Sequence, residues 1–510
     1  MDILGCYVSD WLILLTGVLV ALYWFLTKNF HVLNQIGVPY DKPKPFFGNL
    51  LELFGDIVEF ECHYVKKFGK LFGYFEGRNP VICSMDPEVI KTVLIKEFNN
   101  FTDRRHFYFR GYLEHGVFDA EGAHWKGMRN LLTPAFSSGK LKNMMQPMQQ
   151  SVDHLVEQME NFIATNGGRF ETKKSSMLFT MDVIGGAVFG INLDCRNDPE
   201  NTFAVMARRY FEIKITAFPI IVSVYFDFLC PLLEKITNLN MFDKQAEAYL
   251  AHIVKEAIKA KKESGNQSKD FLGIIINAGE QQNTVDEKEK ADMNSSPSSK
   301  LSKLTDDEVV ANALLFFAAG FETTATTLGF LLYYLAIDQD VQDKLREEVV
   351  DVLGNKPSTI ESLGKLPLME QCIFETLRIC PPILRVDRLA KEEIKIGDLV
   401  IPKGVLVNIP IYAMQRNPEI WPEPEKWKPE RFSPEEKAGR DPMHFLPFSQ
   451  GPRQCIGMRL ALLEIKMAAA DLVRKFRFTA TDETPIPLTL KKSTILAVSD
   501  KPMIVKVERI

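Results

Sequence analysis

The stretch 305–337, LTDDEVVANALLFFAAGFETTATTLGFLLYYLA, constrains this chain more than any other, because it sustains a helical pattern far longer than an average helix. Further long helical patterns occupy 141–163, 243–263, 339–353, 367–379 and 457–475, so the chain is predicted to be mainly α with small β-sheets. Residues 71–85, LFGYFEGRNPVICSM, read as a hairpin turning at Gly77 to Pro80. Between 381 and 445 the β-branched runs IKIGDLVIP and GVLVNIPIY predict a small sheet, and RNPEIWPEPEKWKPERFSP predicts an irregular wrap. The 260–304 region mixes charge with Ser, Asn and Pro around one apolar island, FLGIIINA, and reads as a flexible surface connection. With 510 residues, 46% hydrophobic and 25% charged, the chain can bury one large core and is expected to form a single catalytic unit.

The N-terminus is different in kind. Trp11 to Leu26 carries no charge and is about long enough to span a bilayer, which takes roughly 20 residues. Trp11, Tyr23 and Trp24 suit an interface, and Lys28, Lys42 and Lys44 follow the run while Asp2 and Asp10 precede it. That asymmetry places the body in the cytoplasm. The competing reading, a cleaved signal peptide, lacks a charged leading region and an A-x-A-like site. The division is therefore an anchor over 1–28, a proline-rich linker over 29–49 and a catalytic body over 50–510, located at the endoplasmic reticulum membrane. Residues 210–233 are apolar but broken by Lys214, Pro219 and Asp227. They either dip into the membrane near a substrate entrance or form a buried core segment. A net charge of -5 gives no bulk attraction for nucleic acid, which is excluded as a partner. Eight scattered cysteines without a C-x-x-C pair exclude zinc-finger chemistry and fit reducing surroundings.

One cysteine stands apart. Residues 445–459, FLPFSQGPRQCIGMR, place Cys455 in a Gly- and Pro-rich loop just before the amphipathic run MRLALLEIKMAAADLV. Unpaired N–H groups and the positive end of a helix dipole favour a thiolate there, which is what an iron ligand needs. Gly451 and Gly457 permit sharp turns and close approach to a flat cofactor, and Arg453 supplies a cation for an anionic group. A lone cysteine before a helix is usually plain buried filler. Together, however, Phe448, Gly451, Arg453, Cys455 and Gly457 complete F-x-x-G-x-R-x-C-x-G. In this motif and over nearly its whole length the chain resembles the cytochrome P450 family, particularly its membrane-bound vertebrate drug-metabolising and insect detoxifying members. The resemblance implies the P450 fold, a single haem-containing domain after the anchor, haem b as cofactor and Cys455 as its axial thiolate, with O2 as co-substrate.

Other motifs gain roles from the same resemblance. In 305–337, Ala318, Ala319 and Gly320 form a flat patch, and Thr323 can bond back to the carbonyl four residues earlier. A-G-F-E-T-T looks like the family's oxygen-binding motif, which assigns proton delivery to Thr323 with Glu322 helping. Glu375 and Arg378 share a helix face, and with Arg431 in PERF they resemble the family's structural Glu-Arg-Arg core. Arg104, Trp125, Arg129, Arg388 and Arg453 are by resemblance the donors to the haem propionates. Trp125 and Arg129 lie four apart on one helix face.

The pocket is expected between 305–337, the aromatic loop 106–118, and Ile383 with Leu384. Phe107, Phe109, Phe118, Phe316, Phe317, Ala319 and Ile383 are candidates to line it, although phenylalanines at helical spacing are more often plain core. No dinucleotide motif accompanies the loop, so an NADPH-cytochrome reductase is the implied electron donor, with cytochrome b5 as an optional second one. Lys126, Lys140, Lys142 and Arg459 form a candidate basic docking face. Two other functions fit a haem-thiolate protein: a peroxide isomerase or dehydratase, and a membrane-tethered haem carrier or sensor. Retention of Glu322 and Thr323 speaks for a monooxygenase of lipophilic compounds.

Overall fold

The computed structural model describes residues 2–3, 6–7, 10–186, 202–211, 218–226, 229–237, 239–264, 271–273, 276, 303–492, 494 and 496–510. The apolar run forms helix α1, Asp10–Thr27, with Leu26 its one buried residue and Trp11, Tyr23 and Trp24 exposed. The body contains α2 (Gly122–Leu132), α3 (Ser138–Asn166), α4 (Thr172–Ile184), α5 (Phe218–Tyr225), α6 (Cys230–Ile236) and α7 (Lys244–Ser264). It continues with α8 (Asp306–Ile337), α9 (Gln339–Leu353), α10 (Pro367–Ile379) and α11 (Met458–Lys475). The predicted helices thus stand, with ends shifted by a few residues at most.

Helix α8 is the central strut. Its composition matches a membrane span as well as that of α1 does, but 61% of its apolar window is buried against 6% for α1. Burial, not hydropathy, separates a core helix from an anchor. Leu328, Leu331 and Leu335 are wholly buried, each contributing about 1.5–3 kcal/mol. A capping box starts the helix: Thr305 Oγ1 accepts from Glu308 N at 3.2 Å, and Glu308 Oε2 accepts from Thr305 N at 2.7 Å. Helix α4 packs along it closely enough that a Cβ on Gly329 would lie 2.9 Å from Lys173 Cα.

Strands β1 (Leu71–Glu76) and β2 (Asn79–Ser84) form the expected hairpin, but its turn is only Gly77 and Arg78, with Gly77 at φ 58°. Asn79 and Pro80 already pair with Glu76 and Phe75. Strand β3 (Arg169–Glu171) lies apart from these, and β4 (Val386–Leu389), β5 (Ile394–Ile396), β6 (Leu399–Ile401) and β7 (Leu406–Ile409) occupy the predicted β region. One sheet has the order β1-β2-β7-β4, with β2 and β7 parallel and Arg388 opposite Val407, and β5 pairs with β6. The last strands, β8 (Phe476–Ala480) and β9 (Ile504–Arg509), complete a sheet ordered β8-β9-β3. The linker is stitched to the body: Gly73 N donates to Pro39 O at 2.8 Å and Asn49 N to Phe75 O at 2.7 Å.

Two regional expectations need adjusting. Within 260–304, the described Phe271 and Leu272 are fully buried, Phe271 against Phe136 and Phe316, because an apolar island gains more in the core than at the surface. Most of the rest of that stretch lies outside the described residues. Segment 210–233 divides: α5 buries Ile220, Val222 and Val224, whereas Phe218, Leu229 and, on α6, Leu232 are exposed, as is Ile236 just beyond the segment. Lys214 and Asp227 lie outside the described residues.

Candidate functional site

Cys455 sits two residues before Gly457, the N-cap of α11, and its N–H donates to Phe448 O at 2.9 Å. Among the free cysteines of described environment it alone is exposed, while Cys83, Cys230, Cys372 and Cys380 are buried and Cys62 is half-buried. The backbone N–H groups of Gly457 and Met458 and the Arg129 and Arg104 guanidiniums pull its proton affinity down. Desolvation by the surrounding loop opposes them, and the balance leaves the thiol raised. Gly451 has φ 78°, and a Cβ there would collide with Leu94 O, so this position needs glycine for turn and packing alike. Gly457 has an ordinary φ of -89°, so the backbone makes no such demand there.

Helix α2 leans on this loop. Arg129 Nη2 donates to Gln454 O at 2.7 Å, and the Arg453 guanidinium lies 4.6 Å from the buried Trp125 ring. The expected shared face of Trp125 and Arg129 is therefore the face that meets the loop. Arg453 also donates to Phe118 O at 3.1 Å and to Ala120 O at 2.5 Å.

Three guanidiniums converge here. Burial lowers the proton affinity of Arg104, Arg388 and Arg453, Arg453 to about 9, and like charges add to it: Arg104 and Arg453 act on Arg388, Arg104 acts on Arg453, and Arg110 and Arg129 act on Arg104, against partial compensation by Asp103, Asp119, Asp387 and Glu121. Arg388 Nε and Nη2, Arg104 Nε and Arg453 Nε are buried without a hydrogen-bond partner. A cluster of buried cations with spare N–H donors, beside an accessible cysteine, suits a ligand carrying two carboxylates and a thiolate-seeking metal. The residues present fit haem.

On α8, Ala319 is exposed and Thr323 partly exposed, whereas the neighbouring Phe316, Phe317 and Ala318 are buried. Thr323 Oγ1 donates to Ala319 O at 2.6 Å, the anticipated back-bond, and the helix continues through it unbroken. Glu322, 16% exposed, is ion-paired with Lys173 Nζ of α4 at 2.6 Å. No sequence motif announced Lys173. Ile383 is half-buried and bridges to Leu496, and Phe107 packs against the cluster that contains Tyr74 and Leu406. Phe118 is 41% exposed and stacks under Arg104 at 4.1 Å. Phe109, Phe316 and Phe317 turn inward instead: Phe109 packs on Val222 and Cys230, Phe316 on Phe136 and Phe271, and Phe317 on Phe203 and Phe321.

The Glu375, Arg378 and Arg431 trio comes together, with Glu375 and Arg378 fully buried and Arg431 nearly so. Arg378 grips Glu375 through Nε and Nη2, both at 2.8 Å, and Arg431 Nε lies 3.3 Å from the same carboxylate. Arg378 also donates to the carbonyls of Gln415, Pro424 and Lys426, and Lys428 N donates to Glu375. The lock thus ties α10 to the proline wrap. On the far side, Arg459 Nη2 donates to Ser138 Oγ at 2.7 Å, which draws the α3 start carrying Lys140 and Lys142 against α11. A further buried ionic group, Arg105 with Glu76 and Asp387, and Arg385 with Glu61, borders the site and went unread, although the RR pair of FTDRRHF pointed at it.

Residues 38–507 match the cytochrome P450 family, and the chain belongs to that family of haem- and O2-using monooxygenases. Among its relatives are cytochrome P450 3A9 of Rattus norvegicus, 37% identical over 516 residues (99% of this chain, 98% of the relative), and cytochrome P450 3A25 of Mus musculus, 35% identical over 503 (98% and 96%). Cytochrome P450 3A6 of Oryctolagus cuniculus is 37% identical over 501 residues, covering 97% of this chain and 96% of the relative.

Proposed function

We propose that this chain is an anchored monooxygenase of lipophilic compounds, among them xenobiotics, plant toxins, insecticides or lipids, driven by NADPH through a reductase, with cytochrome b5 as an optional second donor. Its place is the endoplasmic reticulum membrane, held by α1, with the body in the cytoplasm. The observation that carries this reading is the exposed Cys455 beside the buried N–H groups of Arg104, Arg388 and Arg453 that have no partner.

Cys455 holds the iron, and the three arginines with Trp125 and Arg129 hold the propionates. Haem, once bound, supplies the oxidising centre that activates O2. The chain supplies the rest. Thr323 Oγ1 holds and passes a proton at the substrate side, and Glu322 feeds it when its pair with Lys173 opens. Ala319, Phe107, Phe118 and Ile383 form walls that bind substrate by burial and keep bulk water out. Lys126, Lys140, Lys142 and Arg459 steer an acidic reductase to the cysteine side. Exposed Leu232 and Ile236 on α6 give the body a second apolar contact with the bilayer.

The test is the Soret band of the reduced carbon monoxide complex. The wild type should show the red-shifted thiolate band and Cys455→Ser should lose it; a histidine-like band in the wild type would sink the reading. NADPH consumption with a reductase and a lipophilic panel then separates the oxygenase from a peroxide isomerase, which needs neither.

A further inference from the structure

A groove of about 380 Å³ opens where α3 and α11 meet the segment 357–361, which leads into the short helix Ile360–Leu363. That volume lies within the roughly 300–1,000 Å³ typical of small-molecule sites. The groove shares no residue with the Cys455 site or with the walls expected over α8. Its floor is apolar and adaptable: Met467 is 1% exposed and Met145 half-buried, while Pro357 and Ile360 line the side formed by the segment. Methionine is unbranched and polarizable, so it fits varied shapes and makes favourable contacts with aromatic rings. Gln149 Nε2 donates to Asp153 Oδ1 at 3.0 Å and to Asp471 Oδ2 at 3.1 Å, which fastens α3 to α11 and bounds the groove with fixed elements.

One polar group in the wall is left over. Ser358 is 7% exposed, and its Oγ is buried with no hydrogen-bond partner among the described residues. The hydroxyls nearest to it in sequence are engaged: Thr359 Oγ1 accepts from Ser362 N at 3.1 Å, and Ser362 Oγ accepts from Thr359 N at 2.9 Å. A buried hydroxyl without a partner carries a desolvation cost that an incoming acceptor relieves. At the rim, the Glu361 carboxyl is held below its usual range by its own backbone N–H and the Thr359 hydroxyl, and Lys142 adds to the effect. A rim with one charge of each sign offers no net attraction to an ion.

We propose that this groove is a second binding site, for neutral aromatic molecules that carry one hydrogen-bond acceptor. The rings lie against Met145, Met467 and Ile360, and the acceptor takes the Ser358 hydroxyl. The occupant bridges α3 to α11 away from the haem site, and the proposal does not rest on the function above.

Benzophenone, two rings on one carbonyl, is the probe. Under near-ultraviolet light its ketone carbon joins a nearby C–H carbon, the hydrogen passing to the ketone oxygen, with a preference for carbon next to a methionine sulfur. The full-length, haem-loaded protein, its Thr323 face filled by a bulky triaryl-substituted imidazole, is irradiated over a range of probe concentrations, and peptide mass spectrometry maps the label. Label at Met145 or Met467 should rise to saturation. Gln146→Trp, which fills the groove from its exposed rim, should abolish that label and leave other labelled peptides unchanged. Ser358→Ala should raise the half-saturating concentration roughly three- to tenfold while leaving the probe-free protein at least as resistant to heat. Absent label at both methionines, label that grows without saturating, or label that Gln146→Trp spares would overturn the proposal. Unchanged half-saturation in Ser358→Ala would overturn the acceptor requirement that defines the ligand.

Discussion

At the scale of single residues, the site is a balance between groups the protein satisfies and groups it leaves for a ligand. Arg388 is 1% exposed with two N–H groups unpartnered and its proton affinity well lowered. The cost of burying that charge is fully present at neutral pH and is relieved only as pH climbs through the lowered value; for Arg453 relief begins near 9. Arg388→Met should therefore stabilise the haem-free protein by about 1–3 kcal/mol in denaturant titration while speeding haem loss to an acceptor globin. A change that weakened both states would contradict this account. Arg378 is the opposite case, since each of its donors is matched. Arg378→Ala leaves Glu375 charged and buried, at a cost of roughly 3–5 kcal/mol, and should yield no haem-loaded protein by absorbance.

At the scale of elements, the closeness of α4 and α8 depends on two glycines whose neighbours differ. A Cβ at Gly329 meets the Lys173 backbone, whereas one at Gly320 meets Ile184 Cδ1 at 2.7 Å, a side-chain tip that can rotate away. Gly329→Ala should cost about 1–3 kcal/mol in thermal or denaturant unfolding, and Gly320→Ala distinctly less. The helices themselves were legible in the sequence because their periodicity and caps are local, as Thr305 and Glu308 show. The Cys455 loop and the Glu-Arg-Arg trio were legible as motifs. What escaped was set by long-range packing: Lys173 reaching Glu322, the burial of Phe271 and Leu272, and the inward turn of Phe109, Phe316 and Phe317. Periodicity marks a phenylalanine as buried without saying whether a pocket or a core receives it.

At the scale of the whole molecule, α1 is not the sole apolar surface. Deleting residues 1–28 should leave residual vesicle binding that survives high salt, and adding Leu232→Lys with Ile236→Lys should abolish it in a flotation assay. If the truncated protein showed no affinity for vesicles, α6 would be an ordinary solvent-facing helix.

The sheet that joins β3 to β9 also fixes a timetable for synthesis. Arg169 pairs with Lys506, and α8, the arginine lock and the cysteine loop all lie between them in sequence. A ribosome releases β3 long before β9, so β3 waits without its neighbour while the segment that carries α8, the lock and the loop is made. A premature stop shortly before β9 would spare every residue of the site yet leave that sheet open, and such a chain should be cleared by quality control, not accumulate as a slower enzyme.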